Sequence, residues 1–169
     1  MSLSAATVKE LRELTGAGIL DCKRALEESG GDIAKASEIL KQKGFAMAAK
    51  KAERATAQGL VQAYIHHDGR LGALVELNCE SDFVARTDDF RHLAQQIALQ
   101  VAGTNPRYVS AEDVPDGPDK AGDPKELCLL LQPFLRDESL TVQDLITDAI
   151  RKTGENIRVR RFARFELGR

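Results

Sequence analysis

The chain has 169 residues, which suits one medium domain or a small domain joined to a larger one. It is 43% hydrophobic but only 5% aromatic, with no Trp, so aliphatic residues must fill its core, and no run approaches the ~18 apolar residues of a membrane helix. A net charge of −2, from 24 basic and 26 acidic side chains, is too little positive field for a generic nucleic-acid binder.

The first elements read as three short helices. Val8, Leu11 and Leu14 recur at helical spacing behind Ser4, a good N-cap. Thr15-Gly16-Ala17-Gly18 breaks that helix. A second carries Ile19, Cys22, Ala25 and Leu26 on one stripe and stops at Gly30-Gly31. Asp32 caps a third, with Ile33, Ala36, Ile39 and Leu40, which Gly44 ends. Such helices with short turns make a compact bundle over 1–44. Residues 45–58 hold six Ala and predict a separate linking helix, broken by Gly59.

The period then changes to two. Leu71, Ala73, Val75, Leu77 and Cys79 alternate with other residues, as in a strand with one buried face. The β-rich run 60–66 precedes it, and Asp68-Gly69 marks a hairpin turn between them. Thr87 with Asp88 and Asp89 starts the strongest helix, in which Phe90, Leu93, Ala94, Ile97, Ala98 and Val101 form one stripe up to Gly103. The Pro-rich, acidic stretch 104–124 reads as a surface loop. Residues 127–135 are apolar and fit a helix or a strand. Thr141 caps a last helix, closed by Gly154. A final strand places Ile157, Val159, Ala163, Phe165 and Leu167 on one side, with Arg158, Arg160, Arg164 and Glu166 on the other. Arg161 and Phe162 break this alternation, as a β-bulge would. The whole predicts an α+β fold: a three-helix head, a linking helix and a core (59–169) with a three-stranded antiparallel sheet packed by helices.

Few residues suggest chemistry. Cys22, Cys79 and Cys128 are too far apart for a zinc or redox pair, and their odd number argues against a disulfide framework. His66 and His67 point to opposite faces of a strand, so they do not grip one metal together. Gly16-Ala17-Gly18 lacks the Lys-Ser/Thr ending of a phosphate loop and joins two helices. No nucleophile elbow or metalloprotease helix is present. Arg158, Arg160, Arg161 and Arg164 fit a solvated sheet face better than an RNA site. We therefore expect no catalytic residues, metal or cofactor, no membrane association and no direct nucleic-acid contact. The start lacks the layout of a signal peptide, so the expected location is cytoplasmic. In N-C-E-S-D-F-V-A-R-T, Phe83 belongs to neither the preceding strand stripe nor the following helix stripe. Pattern alone leaves it between a core residue at a corner and an exposed anchor.

Four stretches carry a family resemblance: V-K-E-L-R-E-L-T-G-A-G-I-L-D-C-K-R-A-L-E-E-S-G-G-D, A-M-A-A-K-K-A, V-E-L-N-C-E-S-D-F-V-A-R and G-E-N-I-R-V-R-R-F-A-R-F-E-L-G. In this order they closely resemble elongation factor Ts over nearly the whole chain. The resemblance implies a head like a ubiquitin-associated domain and a guanine-nucleotide exchange factor for elongation factor Tu. It implies that Ser81, Asp82, Phe83 and Val84 disturb the partner's Mg²⁺ site, with Phe83 exposed in the free protein. It also implies that Thr15, Gly16, Ala17, Gly18 and Lys23 form the partner-facing part of the head. This chain resembles a short form with a single core unit, for which the family implies a homodimer, through the sheet or the Leu129–Leu135 region. An elongation factor Tu-binding module without exchange activity and an RNA-associated protein using the C-terminal arginines are the alternative readings.

Overall fold

The computed structural model describes residues 4–168. Helix α1 spans Ala5–Thr15, and Ser4 caps it by accepting from the Thr7 amide at 3.1 Å. Helix α2 follows at Ile19–Glu28. Asp32 caps α3 (Ile33–Lys51) through the Lys35 amide. The three helices close over Leu11, Ala17, Cys22, Ala25, Leu26, Ala36 and Leu40. Leu14 and Ile19, expected on the apolar stripes, lie outside this cluster at 67% and 60% exposed. Ala17, in the turn, fills the position between α1 and α2 instead.

Helix α3 does not stop at Gly44. It runs unbroken from Ile33 to Lys51, so the third helix and the first half of the expected linking helix are one element, whereas residues 52–57 are not helical and the chain is already in a strand at Gln58 and Gly59. Packing overrides the weak helix propensity of glycine here. A Cβ on Gly44 would lie 3.3 Å from the Thr147 Cγ2, so a small residue lets α3 approach its neighbour closely.

The core holds a three-stranded antiparallel sheet, ordered β1 (Gln58–Ile65), β2 (Leu71–Cys79) and β5 (Ile157–Glu166). Helix α4 (Asp82–Ala85) is a single turn after β2, and α5 (Asp88–Thr104) covers the inner sheet face. The predicted α5 stripe is fully buried, from Phe90 to Val101. This helix passes Gly103 and ends at Asn105, whose left-handed backbone (φ 52°) forms the cap. The loop beyond carries short 3₁₀ turns and α6 (Pro124–Leu127). The ambiguous apolar run becomes a 3₁₀ turn at Leu129–Leu131 and β3 (Pro133–Phe134), which pairs with β4 (Asp137–Thr141). This second, two-stranded sheet was not expected. A buried amide network holds it: the Gln100 side chain donates to the Pro133 carbonyl at 3.0 Å and accepts from the Leu135 amide at 2.9 Å. Helix α7 (Val142–Thr153) completes the layer, with Thr141 and Asp144 forming a reciprocal cap.

The register of β2 on β5 shifts between Glu76 and Leu77, whose partners are Arg161 and Val159, so Arg160 is the extra residue of a bulge. Beyond it the faces invert relative to the expectation. Phe162 packs on the core, whereas Ala163, Phe165 and Leu167 are outward, the last two 67% and 66% exposed. Because side chains alternate strictly, one extra residue moves all later ones to the other face. Arg164 turns inward and donates from Nε to the Ala102 carbonyl at 2.9 Å.

Head and core touch through α3 and α7. Arg151 donates to the Thr15 carbonyl at 2.6 Å, and the Lys41 ammonium lies 3.1 Å from the Asp144 carboxylate. Burial pushes the Asp144 carboxyl up, but hydrogen bonds from Thr141 and Lys41 outweigh it and hold the group below its ordinary value.

Candidate functional site: a rigid corner with an exposed aromatic

Strand β2 ends at Cys79, and α4 begins two residues after Glu80. Ser81 caps α4, its hydroxyl accepting from the Val84 amide at 3.3 Å. Thr87 then caps α5 through the Phe90 amide and donates back to the Val84 carbonyl at 2.8 Å. Two consecutive caps fold the backbone into a tight corner with little freedom. Val84 and Ala85 point into the core and anchor it. Asp82 and Phe83 point out. The Asp82 carboxylate pairs with Arg86 at 2.9 Å, a solvent-exposed pair of small energetic weight.

Phe83 is 78% exposed, as expected for an anchor and opposite to a corner core residue. Water contact over most of a phenyl ring is unfavourable by roughly 1.5–3 kcal/mol relative to burial. The ring therefore contributes nothing to this fold that would explain its type, and a surface that covers it gains that free energy.

Beneath the corner, Cys79 donates from Sγ to the Ser81 carbonyl at 3.1 Å. Burial, then the nearby Glu155 carboxylate, pushes its thiol up to about 11, so it is a neutral donor at ordinary pH rather than a nucleophile. All three cysteines are buried and unpaired by disulfides. Among the described residues no group of three His, Cys, Asp or Glu is placed to hold a metal.

In the head, the Thr15–Gly18 loop divides. Thr15 donates to the Leu11 carbonyl, Gly16 takes a left-handed backbone that ends α1, and Gly18 leads into α2. Ala17 is buried, so its side chain shapes the loop from within. Gly16 lies against the side chains of Lys152 and Arg151 of α7. Lys23 is exposed and lines a shallow groove of about 390 Å³ between α1 and α2, together with Val8, Arg12, Ile19 and Leu20. The exposed Ile19 and Leu20 beside Lys23 were not singled out from the sequence, because helical spacing placed Ile19 on the buried stripe.

The C-terminal arginines are largely committed to the sheet. Arg161 donates to Glu76 at 2.7 Å, Arg160 lies 3.7 Å from the same carboxylate, and Arg164 contacts Glu166 at 2.8 Å. The Arg161 hydrogen bond holds the Glu76 carboxyl below its ordinary value. No helix among the described residues is long and apolar enough to cross a membrane.

Sequence comparison gives the same frame. Residues 5–118 match the family model described as "Elongation factor TS". Elongation factor Ts of Carboxydothermus hydrogenoformans is 50% identical, across 98% of this chain and 89% of the relative. That of Coprothermobacter proteolyticus is 50% identical across 99% and 100%, and that of Thermotoga neapolitana is 50% identical across 99% and 98%. These alignments run over 194 to 196 positions against a chain of 169 residues, so the relatives carry residues with no counterpart here. With this match and its α+β fold, the chain belongs to the elongation factor Ts family of translation elongation factors.

Proposed function

We propose that the chain is a guanine-nucleotide exchange factor for elongation factor Tu, promoting GDP release during polypeptide elongation by disturbing the partner's Mg²⁺ and phosphate site. The observation that carries this reading is Phe83, 78% exposed on a corner whose backbone is held by two caps and two buried neighbours. Ser81 and Val84 fix the corner, while Asp82 and Phe83 face the partner. The head (1–44) docks through the face that Lys23 shares with Ile19 and Leu20, and Thr15, Gly16, Ala17 and Gly18 shape the adjoining loop. The linking segment (45–58), continuous with the third helix, joins it to the core (59–169). A cytoplasmic location goes with this role.

No covalent step is needed. A protein that binds the nucleotide-free partner more tightly than the GDP-bound one must, by linkage, weaken GDP binding by the same factor. Mg²⁺ neutralises phosphate charge, so displacing its ligands loosens the nucleotide. Burial of the Phe83 ring on the partner supplies part of the driving free energy, ~1.5–3 kcal/mol. Calorimetric titration of elongation factor Tu with and without GDP and Mg²⁺ tests the linkage. We expect clearly tighter binding to the nucleotide-free partner. Equal affinities would reduce the chain to a binding module without exchange activity.

The outer sheet face supports a homodimer as part of the same reading. Val61, Ile65, Leu74, Phe165 and Leu167 are exposed on or beside one face, at 44–67%. A sheet with one helix-covered and one apolar open face favours a covering layer. In the other candidate surface, Leu129 is fully buried and, of the large apolar side chains, only Leu131 and Leu135 are exposed, at 38% and 48%, so it offers a smaller apolar face. Sedimentation at several concentrations should show dimers that Phe165→Glu dissociates. A monomer at every concentration would contradict this assignment.

A further inference from the structure

The corner is held from far along the chain. Glu155 lies in the turn between α7 and β5, 75 residues after Glu80. Its Oε2 accepts from the Glu80 amide at 3.1 Å and the Ser81 amide at 3.0 Å, and its Oε1 accepts from the Ser81 hydroxyl at 2.5 Å. That hydroxyl is the one that caps α4. The next residue extends the hold. The Asn156 amide donates to the Glu80 carboxylate at 2.6 Å, and its side chain donates to the carbonyls of Ala52 (3.2 Å) and Arg54 (2.9 Å). The Arg54 guanidinium also lies 3.6 Å from Glu80. One turn thus fastens both the end of β2 and the chain that leaves α3.

A four-residue helix does not hold its own direction, because the cost of nucleating a helix is spread over too few bonds. Phe83 itself is mostly in water, so neighbouring side chains do not aim it. Its direction comes from the backbone of Ser81–Ala85. Val84 and Ala85 pin that backbone from below, and Glu155 pins it at its start. Hydrogen bonds to a carboxylate are the stronger kind, and three converge here.

We infer that Glu155 is a positioning residue for nucleotide exchange: it pre-aims the Ser81–Ala85 corner, so that Phe83 meets the partner without first being ordered. This rests on the reading of Phe83 as the partner-facing anchor. Glu155→Gln keeps the size of the side chain but removes its charge and replaces one acceptor oxygen with a donor facing amide or hydroxyl hydrogens.

The test is a double-mutant cycle with the full chain, elongation factor Tu loaded with fluorescent GDP, and release followed in stopped flow. We expect Glu155→Gln to lower kcat/KM for release about tenfold. In a Phe83→Ala background the same change should have almost no further effect, because the ring it aims is gone. Equal losses in both backgrounds, or a wild-type rate for Glu155→Gln while Phe83→Ala is slow, would overturn the inference and leave the functional reading intact. A wild-type rate for Phe83→Ala would instead remove the reading on which it rests. Should Glu155→Gln melt below the assay temperature, Ser81→Ala, which removes the hydroxyl arm of the same clamp, enters the cycle in its place. Coupling to Phe83 supports the inference and additivity overturns it.

Discussion

Phe83→Ala should slow the release of GDP from elongation factor Tu about ten- to a hundredfold while leaving the fold intact. The asymmetry follows from its exposure. Removing a ring that is 78% in water opens no cavity, so the melting temperature should move by only about 1 °C or less. Removing the same ring from a covered interface forfeits its burial and leaves a gap on the partner. Aromatic anchors of this kind dominate interface energetics. A melting shift as large as that of a core substitution would mean that the ring contributes to stability. An unchanged release rate would remove it from the mechanism.

The opposite behaviour is expected at Gly59. This residue is the second of β1 and sits opposite Asn78 with a φ of +145°, where residues with a side chain are strained. A Cβ there would lie 2.1 Å from the Leu77 carbonyl oxygen and 2.7 Å from the Asn78 Cα, both backbone atoms that cannot swing aside. Gly59→Ala should therefore destabilise the protein by at least about 3 kcal/mol. For a chain of this size that lowers the melting temperature by at least about 6 °C, measured by circular dichroism. Asn78 lies just before the corner, so exchange should fall as well, but through loss of the sheet rather than of the anchor. A shift under about 2 °C would show that β1 can slide on β2 without cost.

These two residues also show what the sequence makes legible. The period-two run 71–79 and the α5 stripe are readable because each buries one face against the same core, so spacing alone reports it. The caps at Ser4, Asp32, Thr87 and Thr141 are readable because a side-chain oxygen before an apolar run has one local use, and each makes its predicted bond. Gly44 misleads because its helix is held by contact with α7, which no local rule contains. The bulge at Arg160 is foreshadowed by the broken alternation at Arg161 and Phe162, but its consequence is not. Reading through it without shifting the register places Phe165 inside, whereas it belongs to the open outer face.

The corner itself divides in the same way. Residue spacing leaves Phe83 undecided, and the family motif makes it an exposed anchor. The clamp that aims it escapes both. Glu155 and Asn156 look like an ordinary polar turn after Gly154. Their partners, 74 to 104 residues away, become visible only once β5 lies beside β2. Long-range hydrogen bonds of this kind leave no periodic trace in a sequence.

The most direct test of the account is stopped-flow release of fluorescent GDP from elongation factor Tu, with the wild-type chain and Phe83→Ala compared side by side. Strong, saturable acceleration by the wild type is expected, with much weaker acceleration by Phe83→Ala at an unchanged melting temperature. No acceleration by the wild type, or equal rates for the two proteins, would contradict it.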